Sequence, residues 1–156
     1  MQSEEIPFRF EDGVNASELN PETGEMDTSY PQTRWIKTMQ LDFAARADWC
    51  IKSFKEANHA PNVRVEEGNR ITATSGGTVN LTLSATDPDA HPVALKAWSY
   101  GEAGDGDASI SVLENKASVL LPVNAKKGEK FHIIVAGTDT GFPSLTRYQR
   151  VIFTIK

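Results

Sequence analysis

The sequence predicts a mainly β chain, a two-layer sandwich of about seven short strands standing behind one amphipathic helix and an irregular N-terminal segment. Three observations carry that expectation. A strand period of two begins after Pro61, a helical period of three and four stops before it, and residues 1–32 are acidic and poor in aliphatic side chains.

The N-terminal segment is justified by its charge. Residues 1–27 hold eight carboxylates (Glu4, Glu5, Glu11, Asp12, Glu18, Glu22, Glu25 and Asp27) against one base, Arg9, a local charge of −7. The remaining 129 residues sum to +2 of the chain's −5. Such an opening buries too little apolar surface to order itself alone, so residues 1–32 are expected to be loop, tail or the edge of another domain. No basic stretch followed by an apolar run succeeds Met1, which points to a cytoplasmic chain or a piece of a longer secreted one. Asn15-Ala16-Ser17 and Asn80-Leu81-Thr82 match the short glycosylation pattern.

The helix is expected within residues 33–58. Trp35, Ile36, Met39, Phe43, Ala47, Cys50, Ile51 and Phe54 recur at spacings of three and four, one apolar stripe along about 20 residues. Thr33 is placed to cap its start, and Ala60-Pro61 bars helical geometry beyond its end.

The sandwich is expected over residues 59–156. Val79-Asn80-Leu81-Thr82-Leu83-Ser84-Ala85 alternates apolar and polar without an error, as a strand with one buried face must. Similar runs are 62–66, 93–100, 108–113, 117–121, 131–137 and 147–155. Turn signals separate them at Ser75-Gly76-Gly77, Asp87-Pro88-Asp89, Gly104-Asp105-Gly106, Lys127-Gly128 and Thr140-Gly141-Phe142-Pro143. Seven short strands at this spacing are the pattern of an immunoglobulin-like sandwich without its disulfide, since Cys50 has no partner.

Composition excludes several classes of function. The longest strongly apolar run, Phe131–Ala136, is far short of the ~20 residues a membrane-spanning helix needs. A net charge of −5 argues against a nucleic-acid partner. His59, His91 and His132 stand near no nucleophile motif, and no catalytic constellation is legible.

Longer blocks then become familiar. Residues 42–50 (Asp-Phe-Ala-Ala-Arg-Ala-Asp-Trp-Cys), Ser84–Asp89, Trp98–Gly104 and the run from Thr138 through Phe142-Pro143 to Ile152 occur in one collinear order. In this the chain resembles a bacterial family of secreted cellulose-binding proteins with a nucleoside-hydrolase-like N-terminal domain and an immunoglobulin-like C-terminal domain. The resemblance covers roughly residues 33–156. It implies that the helix is a remnant of the upstream domain, that the upstream hydrolase site is absent from this chain, and that the chain is a non-catalytic accessory module of a secreted or periplasmic parent. Its partner would be a polysaccharide or the upstream catalytic domain. Two departures from the family pattern are visible: Asp-Pro-Asp continues with Ala90-His91-Pro92 instead of Gly-Asp, and the next strand carries Ala97-Trp98 instead of two aromatics.

Two candidate sites follow from the strand period. If Val93, Leu95 and Ala97 face the core, Lys96, Trp98 and Tyr100 share the outer face, where aromatic rings can stack on the C–H faces of sugars. Tyr148 and Arg147 on a neighbouring strand, with Glu102 as hydrogen-bond acceptor, complete the candidate carbohydrate site. The alternative is that Trp98 packs, either against the helix or, through a bulge, into the core. Asp87, Asp89 and Asp139, in two loops at one end of such a sandwich, form a candidate Ca²⁺ site of oxygen ligands. The competing reading of Asp-Pro-Asp is an ordinary turn in which carboxylates cap backbone amides.

Overall fold

A computed structural model describes residues 17–156, so the Asn15 acceptor and the first half of the acidic segment lie outside the described residues. The chain divides into two compact units, residues 1–40 and 41–156.

In the first unit, β1 (Glu18–Asn20) and β2 (Glu25–Asp27) pair antiparallel, with Leu19 opposite Met26. The expected irregular segment therefore contains a short hairpin. Its six strand residues are too few to give a readable alternation. Arg34 forms an ion pair with Glu18 and lies over the rings of Tyr30 and Trp35.

The helical stretch has the expected length but begins and ends earlier. It runs as α1 (Tyr30–Thr33) and α2 (Ile36–Trp49), broken at Arg34-Trp35. Pro31 sits in the first turn of α1, where its fixed φ and missing N–H suit a helix start. Thr33 is thus the last residue of α1 and not a cap. Ile51 and Phe54 lie beyond the helix and are exposed.

The apolar stripe of α2 is not the face that packs. Met39 and Phe43 are 61% and 74% exposed, whereas Ala45 is fully buried and Leu41, Asp42 and Trp49 are half-buried. Periodicity locates an apolar face but not the surface it packs against.

The second unit is a sandwich of two four-stranded sheets. Its strands are β3 (Asn62–Val65), β4 (Arg70–Ala73), β5 (Thr78–Thr86), β6 (Val93–Ser99), β7 (Ser109–Leu113), β8 (Lys116–Leu120), β9 (Lys130–Asp139) and β10 (Thr146–Ile155). The orders are β4-β10-β9-β6 and β3-β5-β8-β7. All seven expected strands form. The eighth, β4, pairs parallel to β10 with Ile71 opposite Phe153, and at four residues it is too short to show a period.

Between the sheets lie Leu81, Leu83, Val119, Phe131, Ile133, Val135, Val151 and Phe153, each at most 2% exposed. Burying a side chain of this size contributes about 1.5–3 kcal/mol, so this layer is the main source of stability. The central strand β9 is unusual in being buried on both faces, since His132, Ile134 and Ala136 alternate with the core residues and are only 6–7% exposed.

Candidate functional site

Register places the aromatic residues. On β9, Ile134 stands opposite Trp98 of β6, and Ala136 stands opposite Tyr148 of β10 and Lys96 of β6. Trp98 and Tyr148 are therefore diagonal neighbours across one strand, about two strand spacings apart. The small Ala136 between them lets the rings lean together, and their centroids are 6.2 Å apart at an interplanar angle of 87°. This is an edge-to-face pair and not a coplanar row. Trp98 is half-buried, and its Nε1–H is buried without a partner among the described residues. Tyr148 is 40% exposed. Beside Trp98, the edges of β6 and β7 leave a shallow groove of about 660 Å³ lined by Leu95, Ala97, Ile110, Val112 and Glu114.

Of the other candidate residues, Tyr100 follows β6 directly and its N–H donates to the His132 carbonyl at 2.8 Å. Glu102 lies exposed in the one-turn 3-10 helix Gly101–Ala103. Arg147 and Tyr148 both line a cavity of about 360 Å³ with Trp49 and His59, but their side chains leave β10 differently. As neighbours on β10 they point to opposite faces of the sheet, and Arg147 donates to Asp42 Oδ1 of α2 at 2.9 Å. The hydrogen bond from Arg46, with help from Arg147, holds the Asp42 carboxyl below its ordinary range despite partial burial.

The aspartates separate as well. Asp139 is 3% exposed, and its Oδ1 accepts N–H bonds from Gly141 (3.0 Å) and Leu145 (2.9 Å). Its Oδ2 accepts from Asn58 Nδ2 at 3.0 Å. Its carboxylate is thus occupied in shaping the β9–β10 loop. Asp87 and Asp89 instead group with His91: one possible ligand atom of each lies within 4.8 Å of the others. Asp87 Oδ1 accepts from the N–H groups of Asp89 (2.9 Å) and His91 (3.0 Å), the capping role expected of Asp-Pro-Asp.

A polar relay that the sequence did not single out ties α2 to the same end of the sandwich. Trp49 Nε1 donates to the Asn58 carbonyl at 2.8 Å, and Asn58 Nδ2 donates onward to Asp139 and to the Pro143 carbonyl. His59 stacks on Trp49 (5.3 Å, 13°) and on Phe54 (3.9 Å, 21°), while its backbone N–H donates to Asp89 Oδ2 at 2.6 Å. Asn58 and His59 had one sequence signal, their place just ahead of Ala60-Pro61, where a helix cannot continue.

Residues 78–155 match the family profile described as cellulose-binding protein Sde0182, C-terminal domain. A nucleoside hydrolase-related protein from Saccharophagus degradans, associated with carbohydrate metabolism, is 34% identical with a TM-score of 0.74, over 79% of this chain and 32% of that one. The chain thus spans about a third of that protein's length. A chimeric titin Z1Z2 matches at a TM-score of 0.39 and 12% identity, over 64% of this chain and 97% of that one, too weak a likeness to bear on the fold. A search of curated proteins finds no match. With its profile match over half its length and a solved relative at 34% identity, the chain belongs to the Sde0182 cellulose-binding protein C-terminal domain family.

Proposed function

We propose that this chain is a non-catalytic accessory module of a larger carbohydrate-associated, nucleoside-hydrolase-related protein, and that it contributes polysaccharide recognition. The observation that carries this reading is the Trp98–Tyr148 pair on the outer sheet face, with Tyr148 40% exposed beside it. In this reading the Tyr148 and Trp98 rings supply the apolar contact to a sugar, and Lys96, beside them across Ala136, supplies a hydrogen-bonding group. Arg147 is engaged by Asp42, so in this reading it is not a first contact for the sugar. The relatives' cellulose-binding and carbohydrate associations support the substrate class, and a secreted or periplasmic parent follows from it. The strand orders support an immunoglobulin-like topology, since β3-β5-β8-β7 facing β10-β9-β6 corresponds to the order ABED facing CFG.

The test is co-sedimentation with insoluble cellulose and titration with soluble glucans, comparing the chain with Tyr148→Ala and Trp98→Ala. Binding that drops at least tenfold in Tyr148→Ala supports the reading. Absence of binding to every glycan, or equal binding by the variants, removes it.

A second reading is favoured by α2: the module docks onto the parent's upstream domain. One face of the helix is fixed by the Trp49–Asn58 and Asp42–Arg147 bonds, and the opposite face leaves Phe43 74% exposed. A relative whose matched part is only 32% of its own chain supplies a candidate partner for that face. Mixing the chain with the separately produced upstream domain and measuring association with and without Phe43→Ser distinguishes docking from a free surface.

A further inference from the structure

The β5–β6 loop buries a carboxylate of which only one oxygen is hydrogen-bonded among the described residues. The Asp87 side chain is only 1% exposed, yet its Oδ2 has no hydrogen-bond partner among the described residues. His91 Nδ1 is likewise buried and unpartnered, and stands 3.6 Å from Asp87 Oδ1, too far for a hydrogen bond. A buried carboxylate oxygen without a donor and a buried imidazole nitrogen beside it are two groups that one bound cation would satisfy together.

We propose that Asp87, Asp89 and His91 form a binding site for a divalent transition-metal ion of the zinc type. Three ligand atoms within 4.8 Å of one another need only small side-chain rotations to reach the roughly 3.3 Å edges of a tetrahedron with ~2.0 Å bonds. The loop is shaped for this. Asp87 Oδ1 pins the N–H groups of Asp89 and His91, and Ala90, at φ 61° in the left-handed region, turns the chain so that His91 comes back beside Asp87. Asp89 is oriented from behind, its Oδ2 accepting the His59 backbone N–H at 2.6 Å and its Oδ1 lying 3.1 Å from His59 Nδ1. Ligating carboxylates are usually held by such outer hydrogen bonds, and His59 supplies them here.

The donor set selects the metal. Imidazole with carboxylate suits zinc, cobalt or nickel, whereas Ca²⁺ takes six to eight oxygens and finds here two carboxylates, with Asp139 occupied by its own loop.

The experiment uses the 156-residue chain stripped of metal, titrated calorimetrically with Zn²⁺ and with Ca²⁺, and with Co²⁺ followed by visible absorption. The expected result is one Zn²⁺ per chain, a tetrahedral Co²⁺ spectrum, and a loss of at least tenfold in Zn²⁺ affinity in His91→Gln. His91 has a side chain 36% exposed, so this variant retains the fold, which far-ultraviolet circular dichroism verifies. Asp87→Asn keeps the Oδ1 acceptor that shapes the turn and is expected to lose Zn²⁺ as well. Equal Zn²⁺ affinity in the chain and in His91→Gln overturns the proposal, as does Ca²⁺ binding more tightly than Zn²⁺.

Discussion

Asn58 and Asp139 are joined by a hydrogen bond of 3.0 Å across 81 residues of sequence, with both side chains buried. Asn58 is the residue whose carbonyl receives Trp49 Nε1, and Asp139 closes the β9–β10 loop by accepting two backbone N–H groups. One bond thus connects the end of α2 to the longest hairpin of the sandwich. Its worth lies in what each group would lack without the other, since a buried carboxylate oxygen left unpaired loses its hydration with nothing in return.

Replacing Asn58 by Ala leaves Asp139 Oδ2 and the Pro143 carbonyl without their protein donor. The expected loss is about 1–3 kcal/mol of unfolding free energy, read from the denaturation midpoint at unchanged slope. A change below about 0.5 kcal/mol would mean that water replaces the amide at no penalty and that the relay does not hold the helix end.

Gly141 faces the same amide so closely that a Cβ built on it would stand 2.1 Å from Asn58 Oδ1. Gly141→Ala is therefore expected to destabilise by about 1–3 kcal/mol, as overpacking does. The same substitution made in the Asn58→Ala background should be milder, because the atom it strikes is gone. A double-mutant cycle with a coupling of at least about 0.5 kcal/mol is the expected outcome, and strict additivity would place the strain elsewhere.

The strands were legible because each carries its own record: β5 alternates from Val79 to Ala85 with the polar side chains outward, and Pro or Gly marks most turns. The face of α2 was not legible, since Met39 and Phe43 form the apolar stripe while Leu41, Ala45 and Trp49 form the packed one. The candidate site was half legible. Alternation put Trp98 and Tyr148 on one outer face, but it equally put Arg147 on the other, which mere adjacency in sequence concealed. Asp139 looked like a ligand because composition cannot tell a carboxylate that faces a cavity from one filled by its own loop's N–H groups.

For Trp98, the ring and the N–H make separable contributions. Trp98→Ala removes the edge-to-face contact with Tyr148 and is expected to destabilise by about 2 kcal/mol, under the full-core range because the residue is half-buried. Trp98→Phe keeps an aromatic ring and deletes a buried donor that has no partner among the described residues, so its change should stay within about 1 kcal/mol. If Phe proves as damaging as Ala, the indole N–H is satisfied in solution.

Phe43 tests whether an apolar helix face matters inside or outside this chain. Being 74% exposed, it should tolerate Phe43→Ser within about 0.5 kcal/mol when the chain is unfolded alone. In a protein that includes the upstream domain, the same change should destabilise by about 1–2 kcal/mol if the ring becomes buried there. Equal, near-zero effects in both settings would leave the helix face with no partner in the parent.

His132 supplies a pH dependence with a definite sign. It is 7% exposed on the outer face of β9, and burial, followed by the nearby charges of Arg150 and Lys130, holds its imidazole below the ordinary range, with Asp105 only partly opposing. The unfolded chain therefore binds this proton more readily than the folded one, so the contribution of the neutral ring is complete above about pH 6.5 and is lost as pH falls below it. Stability should decline from pH 7.5 toward pH 5 with a slope attributable to His132 of at most ~1.4 kcal/mol per pH unit. The buried or hydrogen-bonded carboxylates, such as Asp42, contribute in the same direction only at more acidic pH, because their loss requires protonation below the ordinary carboxylate range. Urea unfolding at several pH values, compared with His132→Leu, isolates the effect. The variant should show a shallower decline between pH 7.5 and 5, and an NMR titration should find the His132 ring protonating at lower pH in the folded chain than an ordinary imidazole does. A His132 resonance that titrates above pH 6.5 would reverse the sign, since the folded state would then be the one that prefers the proton.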